Sequence, residues 1–75
     1  MTELTYQNAS SIDEKHIRLF DSEGRMIADG FASYTRRESR DIVFVFKKIS
    51  TTNWSTLIGI AILGSTEKYF FELIA

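Results

Sequence analysis

Short runs rich in β-branched and aromatic residues, separated by polar turn segments, pattern this chain as β-strands. His16 to Phe20 (HIRLF) reads as a short strand, followed by the turn Asp21-Ser22-Glu23-Gly24-Arg25. Gly24 suits the left-handed position of a three-residue hairpin loop. That register sets Asp21 opposite Arg25 and Leu19 opposite Ile27. The second strand runs from about Arg25 to Arg36. Its phase slips, because Ile27, Asp29 and Phe31 share one face of a regular strand, and a bulge at Asp29-Gly30 would restore it.

The third strand spans Asp41 to about Ile49. After the polar connection Ser50-Thr51-Thr52-Asn53, a fourth runs from Trp54 to Leu63 and ends at Gly64. These two strands depart from simple alternation. Phe44 and Phe46 lie on one face of the third strand and Val43 and Val45 on the other; Ile58, Ile60 and Ile62 oppose Leu57, Ala61 and Leu63 in the fourth. An antiparallel sheet with one wet face alternates polar with apolar. Two apolar faces require a cover on each, from a helix, the N-terminal arm or another subunit.

The ends are less determined. Residues 1–14 are polar with isolated Leu4, Tyr6 and Ile12, which fits a flexible arm or a strand ordered only by docking onto a β-domain of residues 15–75. Thr66 to Ala75 reads either as a strand, with Tyr69, Phe71 and Leu73 on one face, or as a covering helix with the stripe Tyr69, Phe70, Leu73 and Ile74. The expected fold is therefore mainly β: a small antiparallel meander of four or five strands, as a barrel or an open sheet.

Length sharpens this picture. Seventy-five residues form a single domain near the lower limit for a self-sufficient core. With no cysteine and one histidine, neither disulfides nor an ordinary zinc site can staple it. Yet 44% of the residues are hydrophobic, so the chain must pack unusually well or share its core. A homodimer, or a tight complex with another protein, is the expectation. The start MTELT is neither basic nor apolar, and Leu57–Leu63 is far shorter than the roughly 20 residues of a spanning helix. The cytoplasm is the default compartment.

Candidate chemistry is sparse. His16 is the only imidazole; it stands between Lys15 and Arg18, and no nucleophile elbow accompanies it. Asp21-Ser22-Glu23-Gly24 lacks the ligand spacing of a calcium loop, and four isolated glycines make no phosphate loop. No cofactor, metal or small-molecule substrate is implied, and an enzyme is not expected. Charge is more informative. The net charge is −1, but five of nine basic residues fall between Arg36 and Lys48, so that segment carries +3 and the remainder −4.

Tyr34, Phe44, Phe46 and Trp54 flank those charges, a combination used by single-strand nucleic-acid binders. A hairpin accounts for the same residues. With Glu38-Ser39 as a two-residue turn, Arg37 faces Arg40, Arg36 faces Asp41, Tyr34 faces Val43, Phe31 faces Phe46 and Asp29 faces Lys48. Opposite charges and aromatic–apolar pairs then match across the strands. Arg40 and Lys47 would lie roughly 24 Å apart at about 3.4 Å per residue, too far for one compact basic patch. The expected function is a non-enzymatic binding module, an adaptor, inhibitor or assembly protein using a sheet surface and hairpin tip. Tyr34, Arg36, Arg37, Arg40 and Trp54 are the candidate contacts, since these residue types dominate interfaces. The alternative is a small-barrel single-strand binder in which Lys47 and Lys48 also contact phosphates.

Overall fold

A computed structural model describes residues 1–37, 40–62 and 66–75, with Arg37 and Arg40 described through their backbones. Six strands form one open antiparallel sheet in the order β1-β6-β2-β3-β4-β5. They are β1 (Thr2–Glu3), β2 (His16–Phe20), β3 (Met26–Arg37), β4 (Arg40–Lys48), β5 (Trp54–Ala61) and β6 (Phe70–Leu73). The mainly β meander expected from the pattern is present as β2 to β5. The C-terminal segment is a strand, inserted between β2 and β1. The sixth strand comes from the N-terminal arm.

The β2–β3 hairpin turns on Asp21. Its carboxylate accepts the N–H groups of Glu23 and Arg25, both at 2.9 Å, and the Arg25 guanidinium at 3.0 Å. Gly24 adopts φ +83°, the left-handed conformation its position requires. The register beyond the turn differs from expectation. Phe20 faces Met26 but Leu19 faces Ala28, so Ile27 is the extra residue of a bulge and does not stand opposite Leu19. This one-residue insertion corrects the phase, and no bulge is needed at Asp29-Gly30. Gly30 pairs regularly with Ile17 and serves another purpose. A Cβ there would lie 2.2 Å from the Phe46 carbonyl oxygen, so only glycine allows β4 to pass so close.

The β3–β4 hairpin follows the expected register from Phe31↔Phe46 to Arg37↔Arg40. The expected two-residue turn at Glu38-Ser39 lies outside the described residues. The pairing stops at Phe31, so Asp29 does not face Lys48; it faces Arg18 of β2. β4 continues onto β5, again through a bulge: Val45 faces Ile58, Phe46 faces Thr56, and Leu57 is the extra residue.

These registers put Ile17, Leu19, Ala28, Ala32, Val43, Val45, Ile60 and Phe71 on one face, and all are buried. The N-terminal arm covers that face. Leu4, Ala9 and Ile12 enter the core, with Ala9 and Ile12 fully buried in a 3₁₀ turn at Ala9–Ile12. Several polar contacts hold the arm in place. Leu4 N–H donates to the Tyr69 carbonyl at 2.7 Å, Glu14 N–H to the Ala32 carbonyl at 2.8 Å, and Asp13 Oδ1 accepts the Tyr34 N–H at 2.8 Å. Asp13 thereby pairs with a β3 amide beyond the end of β2 and ties the arm to that strand. One of the two apolar faces is thus covered from within the chain.

Candidate interaction face

The opposite face of the sheet carries the large aromatics. His16 of β2, Phe31 of β3 and Phe46 of β4 stand in one cross-strand row, because His16 pairs with Phe31 and Phe31 with Phe46. Lys48↔Trp54 pairing adds the only tryptophan at the next position. The rings contact one another. Phe31 and Trp54 meet edge to face with centroids 5.6 Å apart, His16 lies 5.2 Å from Phe31, and Phe44 lies 6.0 Å from Phe46. Such pairs are worth about 0.5–1.5 kcal/mol beyond the area they bury.

Stacking only partly shields this surface. Phe31 remains 39% exposed and Trp54 49%, whereas Val43 and Val45 on the other face are 0% exposed. Phe31, Phe46 and Trp54, with Glu14, Ala32 and Ser33, line a shallow depression of about 480 Å³. Phe20, Phe70 and Met26 stand side by side on the same face at the far end of β2. Glycine shapes this side too: the Phe44 ring lies over Gly59, where a Cβ would come within 2.8 Å of it.

Charges border the aromatics. Asp29 accepts hydrogen bonds from His16 Nε2 and, at 3.2 Å, from Arg18 Nε. The His16 hydrogen bond, and after it the Arg18 contact, holds the Asp29 carboxyl below its ordinary value against an opposing effect of burial. On the other side the Lys48 ammonium sits 5.8 Å from the centre of the Trp54 ring. Both signs are therefore present. The His16–Asp29 pair resembles half of a general-base arrangement, but no hydroxyl is bonded to the imidazole among the described residues. His16 instead stacks on Phe31, as part of the surface. Nor do any three His, Asp or Glu side chains converge to hold a metal among the described residues. Among the described residues no helix is long and apolar enough to cross a membrane.

The five residues singled out from the sequence do not meet in one place. Trp54 belongs to the aromatic face, at the end of β4 remote from the hairpin tip. Tyr34 and Arg36 lie on the covered face. Arg36 donates to the Tyr6 hydroxyl and sits 5.4 Å from the centre of that ring, so it clasps the arm. Tyr34 is half-buried; burial first, and then the neighbouring Asp41 carboxylate, pushes its phenol above the ordinary value. Asp41 itself is 2% exposed, and its register partner Arg36 has turned to Tyr6 instead. Arg37 and Arg40 pair through their backbones, and their side chains lie outside the described residues.

Phe31, Phe46 and His16 were noticed in the sequence but not placed among the candidate contacts. The signal was present in the Phe31↔Phe46 pairing, which was read as hairpin stabilisation and not as one side of an open surface. Compared with protein-family models, curated proteins and solved structures, the chain matches none.

Proposed function

We propose that this protein is a small non-enzymatic binding module that engages another protein through the aromatic face of its sheet. The observation that supports this reading most is the contrast in cover. The chain spends its own arm on the valine face and leaves Phe31, Phe46 and Trp54 half open around a shallow depression. Enclosed clefts suit small substrates, whereas flat aromatic surfaces ringed by mixed charge suit protein partners. Trp and Phe in such positions act as anchors, with Arg18, Asp29 and Lys48 as a polar rim. Arg36 is secondary in this reading, because it is already engaged by Tyr6.

The second reading, single-strand nucleic-acid binding, draws on Lys48 beside Trp54. Asp29 and Glu14 around the same aromatics disfavour it, as does the net charge of −1.

One pair of measurements tests the choice. A photo-crosslinking residue at position 54 should capture a discrete protein species in extracts of the native host, and Phe31→Ala should abolish the product. The same residue at position 23, in the exposed β2–β3 turn, should give none. Trp54 fluorescence titrated with a mixed-sequence single strand at low salt should stay unchanged. Quenching that weakens steeply with salt would replace the protein-binding reading with phosphate contact.

A further inference from the structure

The two edges of the sheet are built differently. β1 is two residues long, carries Glu3, and has its Glu3 carbonyl taken by the Asn8 side-chain amide at 2.8 Å. Short length, charge and a satisfied carbonyl are the usual means of blunting an edge against pairing with another chain. β5 has almost none of this. It is eight residues long and contains no charged residue or proline, and the chain has no charge anywhere between Lys48 and Glu67. Its ladder partner is β4 alone, and among the described residues no backbone group of Trp54–Ala61 bonds to anything beyond that ladder. The one protective device is the bulge at Leu57, which leaves Ile58–Ala61 as a regular run beyond it.

We infer that β5 pairs antiparallel with β5 of a second copy, joining two six-stranded sheets across a two-fold axis. Three observations select a second copy as the occupant. Only one edge is open, so head-to-tail growth from β5 to β1 is blocked and the symmetric contact is the one that closes. Self-pairing sets no like charges opposite one another, because the edge has none. With a net charge of −1 per chain, long-range repulsion between copies is small. A two-fold axis perpendicular to the sheet keeps the two aromatic faces on the same side, so Trp54 of both copies lies near one seam. This inference rests on the edge and stands apart from the protein-binding reading of the face.

The test uses the full chain. Sedimentation at tens of micromolar should give a mass twice the 8.6 kDa of one chain. Amides of Ile58–Ala61 should gain hydrogen-exchange protection as concentration rises, while those of Thr2–Glu3 should not. The double variant Thr56→Lys/Ala61→Lys brackets the open run with exposed like charges and should weaken the dimer about tenfold or more, with an unchanged circular dichroism spectrum. Three results would overturn the inference: a monomer at every concentration, a dimer whose β5 amides show no concentration dependence, or a dimer unaffected by the lysines but lost in Phe31→Lys. The wild-type exchange data decide the matter even if the double variant fails to fold. A wild-type chain that stays monomeric at every concentration while position 54 still crosslinks to a different protein would sink this proposal and leave the binding face standing.

Discussion

The valine face and the phenylalanine face of β4 are made from alternate residues of one strand, yet they have opposite fates. Val43 and Val45 are fully buried in the same core as Ala9 and Ile12 of the arm; Phe44 and Phe46 are only half-buried. Side-chain shape accounts for the difference. Ala28, Ala32 and the valines give a low surface onto which a single 3₁₀ turn can settle with close contact. The aromatics stand higher and stack on one another, which takes part of their area from water without any covering element. Apolar character alone does not decide which side of a small sheet becomes the core. The size of the residues and the reach of the arm do.

That comparison can be stressed directly, and core deletion is the harshest test. Leu19→Ala or Ile17→Ala on the covered face should cost about 3 kcal/mol, enough to unfold much of a domain this small. Trp54→Ala on the open face should cost about 1 kcal/mol, the value of a half-exposed stacked ring. Urea denaturation of the three variants measures both; equal losses would erase the distinction between the faces.

The two strand glycines give a finer test. Gly30→Ala drives a methyl into the Phe46 backbone and should cost about 2 kcal/mol, since backbone cannot step aside. Gly59→Ala meets only the Phe44 ring, which is free to tilt toward solvent, and should cost less than about 1 kcal/mol. Thermal melts of both variants would show whether the open face yields as easily as its exposure implies.

Next in size is the clasp on the arm. Tyr6→Phe removes the hydroxyl that accepts from Arg36 and should lower stability by about 0.5–1 kcal/mol, while leaving the ring for the guanidinium. Faster exchange at the Leu4 and Glu14 amides would locate that loss in the arm.

The smallest effect is electrostatic. Asp21 is held below its ordinary value of 3.8 mainly by the Arg25 amide, and Asp29 below the same value mainly by His16. A carboxylate depressed in the folded state adds stability above its unfolded pKa and loses it as pH falls through the folded one. Stability should therefore decline below about pH 4. In Asp21→Asn/Asp29→Asn that acid limb should be shallower and the neutral-pH stability lower. A limb unchanged in the double variant would assign it to other carboxylates.

Much of this fold was legible in the sequence, and the reasons can be given residue by residue. The β3–β4 register from Phe31↔Phe46 to Arg37↔Arg40 could be read because the strands are close in sequence and their charge and aromatic pairs point to one alignment. The Asp21–Arg25 turn was legible for the same local reason. Both bulges escaped or were misplaced, since a one-residue slip at Ile27 or Leu57 is decided by packing between strands far apart in sequence. Gly30 illustrates the ambiguity: glycine in a strand announces a special position, but only the approach of Phe46 shows which kind. The insertion of β6 between β1 and β2 depends on pairings across fifty residues or more, which no local pattern encodes. The candidate site was legible in its residue types and not in its location. Trp54 was identified, but the arginines chosen to accompany it sit at the other end of β4, and Tyr34 and Arg36 point to the covered side.

Solvent paramagnetic relaxation distinguishes a face closed by the arm from one open for contact. A soluble nitroxide should be added to the labelled protein at a concentration where sedimentation shows a single chain. The Phe31, Phe46 and Trp54 ring signals should broaden strongly, with little change in the Val43, Val45 and Ile12 methyls. Methyl signals broadened as strongly as the rings, or rings as protected as the methyls, would contradict this contrast between the faces.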